Sequence, residues 1–155
     1  MDWGTLAGTA LGALVGAGST MAADRSRWKR DHFTREHTTR RELYSQYLAA
    51  LSLTTHRLRD LRRLGPTARE ERARQAGDVL STSGAYQARY QMLITAPDAL
   101  AEPTERAFRA LRDLRDRFDQ PDVRKDPEWD AAMNTVSETM GTLKQAMRDD
   151  LSTLV

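Results

Sequence analysis

The chain has 155 residues, no Cys, 39% hydrophobic and 30% charged residues, with 24 Lys+Arg against 22 Asp+Glu. This length suits one domain plus an appendage, and the lack of Cys excludes disulfides, thiol nucleophiles and Cys-ligated metal sites. The net charge of +2 hides an asymmetry: residues 1–96 carry 15 Lys+Arg and 9 Asp+Glu, residues 97–155 carry 9 and 13, so a basic front precedes an acidic back.

The first element is an uncharged run from Trp3 to Ala23, bracketed by Asp2 and Asp24. As a helix it is roughly 31 Å long, one hydrocarbon thickness. Trp3 and Trp28 flank it, and Arg25, Arg27, Lys29 and Arg30 follow at once. Amphipathic rings favour the lipid–water boundary and cations favour the cytoplasmic side. The run is therefore expected to span the cell membrane once, with a short N-terminus outside and the C-terminal part in the cytoplasm; its Gly/Ala content leaves a helix buried in a protein assembly as the alternative. A cleaved signal peptide needs a basic start, and the first charged side chain here is Asp2. Gly4, Gly8, Gly12 and Gly16 recur every four residues. On a helix they form a groove without side chains, along which a second helix can approach closely in lipid. This face predicts self-association or packing on another membrane protein. Gly16-Ala17-Gly18 opens like a dinucleotide loop, but no third glycine follows and no strand precedes it.

Residues 24–42 read as a basic helical stalk with seven Lys/Arg and four Asp/Glu, suited to anionic lipid head groups. No Gly or Pro lies between Gly18 and Gly65, so one helix is expected to continue to Leu64. From residue 43 an apolar stripe appears: Leu43, Tyr44, Tyr47, Leu48, Leu51, Leu58 and Leu61. Gly65-Pro66 ends that helix, and Thr67 with Glu70 has the spacing of a capping box. A single second helix is expected up to Thr95, with Ala73, Ala76, Val79, Leu80, Ser83, Tyr86, Tyr90 and Leu93 facing the core and Gly77 and Gly84 allowing close packing. A third helix opens near Pro103, with the stripe Ala107, Phe108, Leu111, Leu114 and Phe118. Asp126-Pro127-Glu128 opens a fourth, whose seam is Trp129, Met133, Val136, Met140, Leu143, Met147 and Leu154. The expected fold is all-α: a transmembrane helix over 1–23, a stalk over 24–42, and an antiparallel bundle of three to four helices over 43–155.

No catalytic constellation stands out. His32 and His37 are five apart on a helix, so their rings diverge by about 140° and cannot share a metal. Asp119, Asp122 and Asp126 lack the spacing and central glycine of a calcium loop. The methionines of the last helix read as adaptable core. No cofactor or metal is expected.

Arg40-Arg41-Glu42-Leu43-Tyr44-Ser45-Gln46-Tyr47-Leu48, set after a Gly/Ala-rich helix and a Trp-Lys-Arg junction, resembles a pattern in small single-pass proteins of actinobacteria. The resemblance covers about the first 60 residues. It implies a membrane-anchored helical cytoplasmic domain and no activity. The layout is also similar to the peripheral-stalk subunits of rotary ATP synthases, although here the later helices are expected to fold back.

Three functional readings follow. The first is a non-enzymatic membrane-anchored interaction protein that associates through the glycine face. The second is a pore-forming effector, with Thr5, Thr9, Ser19 and Thr20 lining the pore. The third, ranked last, is a soluble nucleic-acid-binding bundle using Arg57, Arg59, Arg62, Arg63, Arg69, Arg72 and Arg74.

Overall fold

The computed structural model describes residues 37–66 and 68–153, which are nearly all of the compact unit Thr39–Val155. The spanning run, with Gly4, Gly8, Gly12, Gly16 and Trp3, lies outside the described residues, as do Arg25, Arg27, Trp28, Lys29 and Arg30. Among the described residues no helix is long and apolar enough to cross a membrane, and no strand occurs. The fold described is an all-α bundle.

Helix α1 covers 37–64. Tyr44, Tyr47, Leu51, Thr54 and Leu58 fall three or four apart with Leu43 beside Tyr44, so a single face meets the core, and all are buried. Thr54 is a polar member of this face; its hydroxyl donates back to the Ala50 carbonyl at 2.7 Å. At the end of α1, Gly65 N bonds Leu61 O at 2.8 Å. A side chain at Gly65 would collide with Leu61 O and come within 2.7 Å of Leu61 Cδ1, so only glycine closes this turn unstrained.

The expected second helix is two helices, α2 (Arg69–Thr82) and α3 (Ala85–Thr95). Their joint is Ser83-Gly84, and Gly84 has φ +79°, the left-handed region that glycine enters without a Cβ penalty. The hydroxyls before it satisfy the last carbonyls of α2: Thr82 donates to Asp78 O at 2.7 Å and Ser83 to Leu80 O at 2.9 Å. Gly84 is thus a conformational residue and not a packing one, for nothing lies within 4 Å of where its Cβ would be. The break also turns the buried face. Arg72, Ala76 and Leu80 point inward on α2, but Ala85, Ala88 and Met92 do so on α3. Tyr86, Tyr90 and Ile94, which continue the α2 register, are left exposed, Ile94 at 83%. The start of α2 also differs from a capping box: its N-cap is Ala68, with no side-chain cap bond.

A short 3₁₀ turn at Asp98–Leu100 leads into α4 (Ala101–Asp116), whose Ala107, Phe108, Leu111 and Leu114 are buried as expected. Two further 3₁₀ turns bury Phe118 and Val123. Helix α5 (Trp129–Thr153) buries Trp129, Val136, Met140, Leu143 and Met147 along the expected seam, while Leu154 lies outside the described residues.

Cross-links fix the topology. Arg40 on α1 meets Asp150 on α5, and Arg62 stacks 4.9 Å from the Trp129 ring centroid, so α1 and α5 are antiparallel. Tyr86 meets Phe108 and Arg89 meets Glu105, so α3 runs against α4. Phe118 packs edge-on against Trp129 at 5.6 Å where α4 returns into α5. The chain goes up in α1, down through α2 and α3, up in α4 and down in α5. Residues 37 and 153 share one end, termed proximal here.

Candidate functional site

Each end of the bundle is closed by charged side chains, and the two ends differ. At the distal end, arginines grip backbone carbonyls. Arg72, 1% exposed, reaches Pro66 O at 3.3 Å, Gln120 O at 3.3 Å and Pro121 O at 3.0 Å, and so ties the α1–α2 turn to the turn after α4. Arg62 donates to Val123 O and Arg124 O at 3.1 and 3.0 Å, while Arg124 answers to Arg62 O and Gly65 O at 3.2 and 2.6 Å. Arg117 holds Asp126 through two bonds of 2.6 Å and reaches Glu128 at 2.7 Å. Its guanidinium keeps the Asp126 carboxyl below the usual carboxylate range, and a bond from Glu128 N at 3.1 Å adds to this. Asp126 therefore caps the start of α5 while it pairs with Arg117.

This use of arginine bears on the nucleic-acid reading. Of its seven residues, Arg62 and Arg72 are committed to carbonyls, and Arg74 is shared between Glu71 (2.6 Å) and Asp78 (3.3 Å). Arg57, Arg59, Arg63 and Arg69 remain as exposed cations. His56, on the same helix as the first three, is 3.2 Å from Asp60.

At the proximal end Asp150 accepts from Arg40 Nη1 at 2.9 and 3.2 Å and from Tyr44 Oη at 2.6 Å. Burial raises the Tyr44 phenol well above its ordinary value, and the Asp150 carboxylate pushes it further. The phenol stays protonated and serves as a donor. Tyr47, fully buried, donates to Thr104 O at 3.0 Å, and burial likewise raises it. Both tyrosines act as pins between helices.

Beside the Tyr44–Asp150 clamp runs an open groove of about 510 Å³ between α1 and α5. Tyr44, Leu48, Met147 and Leu151 form its floor; Arg41, Lys144 and Arg148 stand on its rim with Glu42 and Ser45. The three rim cations are exposed and make no ion pair or hydrogen bond among the described residues. Leu48 and Met147 lie on the core-facing stripes the sequence predicts, yet Leu48 is only partly buried, as is Leu151. Arg41, Lys144 and Arg148 are singled out by no motif. Only the antiparallel pairing of α1 with α5 brings them together.

Among the described residues no group of three His, Cys, Asp or Glu is placed to hold a metal. No protein-family model, curated protein or solved structure matches this chain. The groove is one of several surface openings of this size. It offers apolar contact and positive charge, but no paired acid, base or nucleophile.

Proposed function

We propose that this protein is a non-enzymatic, membrane-anchored interaction protein. Residues 3–23 cross the cell membrane, Gly4, Gly8, Gly12 and Gly16 pack against a second copy or another membrane helix, and the bundle presents a binding surface to the cytoplasm. The observation that carries this reading is the 21-residue uncharged run Trp3–Ala23 with glycine at every fourth position, closed by Arg25, Arg27, Lys29 and Arg30. Such a run has the length to cross a bilayer, and its bare edge gains dispersion contacts only when another helix lies in it. The bundle is compatible with a binding role, because its buried titratable side chains, Tyr44, Tyr47, Arg72 and Asp126, are all spent on bonds between segments. Anionic head groups are natural neighbours of the basic stalk.

The test is extraction and mass. The protein is expected in the membrane fraction, released by uncharged detergent as a particle heavier than one chain. Gly8→Leu with Gly12→Leu should reduce that particle towards a single chain while leaving it in the membrane. A monomer in a detergent-free high-speed supernatant would overturn the anchor, and an unchanged particle mass in the double variant would overturn the glycine face.

A further inference from the structure

We infer that the proximal groove between α1 and α5 is a docking site for an acidic amphipathic helix of a partner protein. The inference deepens the interaction-protein reading and rests on it for its biological setting. Its physical basis, however, is the groove alone.

Shape, apolar content and charge agree. The groove is lined by residues 41–48 of α1 and 144–151 of α5, two turns of each helix, or about 11 Å. Over that length a third helix presents anchors at i, i+3 or i+4, and i+7, the pattern by which a helix lies in an apolar seam. The floor supplies what such anchors need: Leu48 and Leu151, half-exposed, above Met147 and Tyr44. The rim decides the sign of the partner. Arg41 stands on one wall and Lys144 and Arg148 on the other, against Glu42 alone. Asp150, behind the floor, is already bonded by Arg40 and Tyr44 and leaves the rim charge uncompensated. Two other cations beside apolar surface are engaged: Arg89 with Glu105 over the Phe108 ring, and Arg62 on carbonyls over Trp129. A second copy offering the same face would set like charges opposed. A lipid surface would meet the rim cations, whereas the two-turn apolar floor matches the anchor spacing of a helix.

The experiment uses the full chain in uncharged detergent and a fluorescent synthetic helix of about 18 residues, Ala-based, with Leu at i, i+3, i+4 and i+7 flanked by Glu. A second peptide carries Lys in place of Glu. Fluorescence anisotropy should show the Glu peptide binding about tenfold more tightly than the Lys peptide, the sum of three modest exposed pairs. Arg41→Glu with Lys144→Glu and Arg148→Glu should reverse that preference. Arg57→Glu with Arg59→Glu and Arg63→Glu, an equal charge change elsewhere on the bundle, should leave it in place. Leu48→Asn with Leu151→Asn should weaken both peptides. The charged positions are exposed, Leu48 and Leu151 are partly buried against the core, and circular dichroism checks that each variant stays folded. Equal affinity for the two peptides, or a preference that survives the groove variant, overturns the proposal. So does displacement of the Glu peptide by phosphatidylglycerol vesicles through the same three cations, which would assign the groove to lipid. Particle mass in detergent reads self-association separately, so either inference can fail without the other.

Discussion

Arg72 gives the sharpest test of how the distal end is held. Its guanidinium is almost completely buried, and three carbonyls on two otherwise separate turns depend on it. Arg72→Met keeps most of the side-chain volume and removes the donors. Of these three carbonyl bonds, two are long at 3.3 Å and one is good at 3.0 Å. Gln120 and Pro121 are exposed, so water can reach part of what is lost. The expected cost is therefore that of one good charged hydrogen bond, about 2 kcal/mol. Arg72→Ala removes the apolar stem beyond Cβ as well, two methylenes at about 0.8 kcal/mol each, for a total of about 4 kcal/mol. At about 4 °C per kcal/mol for a unit of this size, the two variants should melt about 8 °C and about 16 °C below the parent. Thermal and urea melts followed by far-ultraviolet circular dichroism, in one uncharged detergent throughout, give both numbers. An Arg72→Met variant as stable as the parent would refute the bridging role, because the carbonyls would then have lost nothing.

Other expectations follow from single contacts. Gly84→Ala places a side chain at φ +79° and should cost about 1–2 kcal/mol, whereas Gly77→Ala, mid-helix with open space around it, should gain about 0.5–1 kcal/mol; opposite signs in the two melts are the check. Asp126 has its carboxyl lowered when folded, so its share of stability is present above the unfolded carboxylate range near pH 4 and is lost as pH falls through the lower folded value. Asp126→Asn should lower stability at pH 7 and flatten that acid limb in a pH series of melts. Tyr44→Phe removes the 2.6 Å bond to Asp150 and should cost about 1 kcal/mol, with faster amide hydrogen exchange over 147–153 and little change near Trp129.

The stripes of α1, α4 and α5 were legible because burial there follows apolar side chains at helical spacing, and Leu51, Leu111 and Leu143 sit in the core as the spacing requires. The joint between α2 and α3 was not, although Ser81-Thr82-Ser83-Gly84 carries a signal for it. Hydroxyls that bond back to carbonyls, followed by a residue free to turn left-handed, outweigh an apolar period that runs on through Tyr86 and Tyr90. Arg72 escaped for a different reason: a periodicity search looks for apolar residues, and this one reaches the interior to satisfy carbonyls. The groove was illegible in principle. Arg41 and Arg148 are 107 positions apart, and only the return of α5 along α1 makes them neighbours.

The shared proximal end of α1 and α5 has a mechanical consequence. A pull applied between residue 37 and residue 153 meets the bundle at one corner and opens it as a zipper is opened: the Arg40–Asp150 pair yields first, then Tyr44, with the arginine locks at the far end loaded last. A force applied instead between residue 37 and Trp129, at opposite ends of the two helices, would be carried in shear, with the whole length of the α1–α5 seam resisting together.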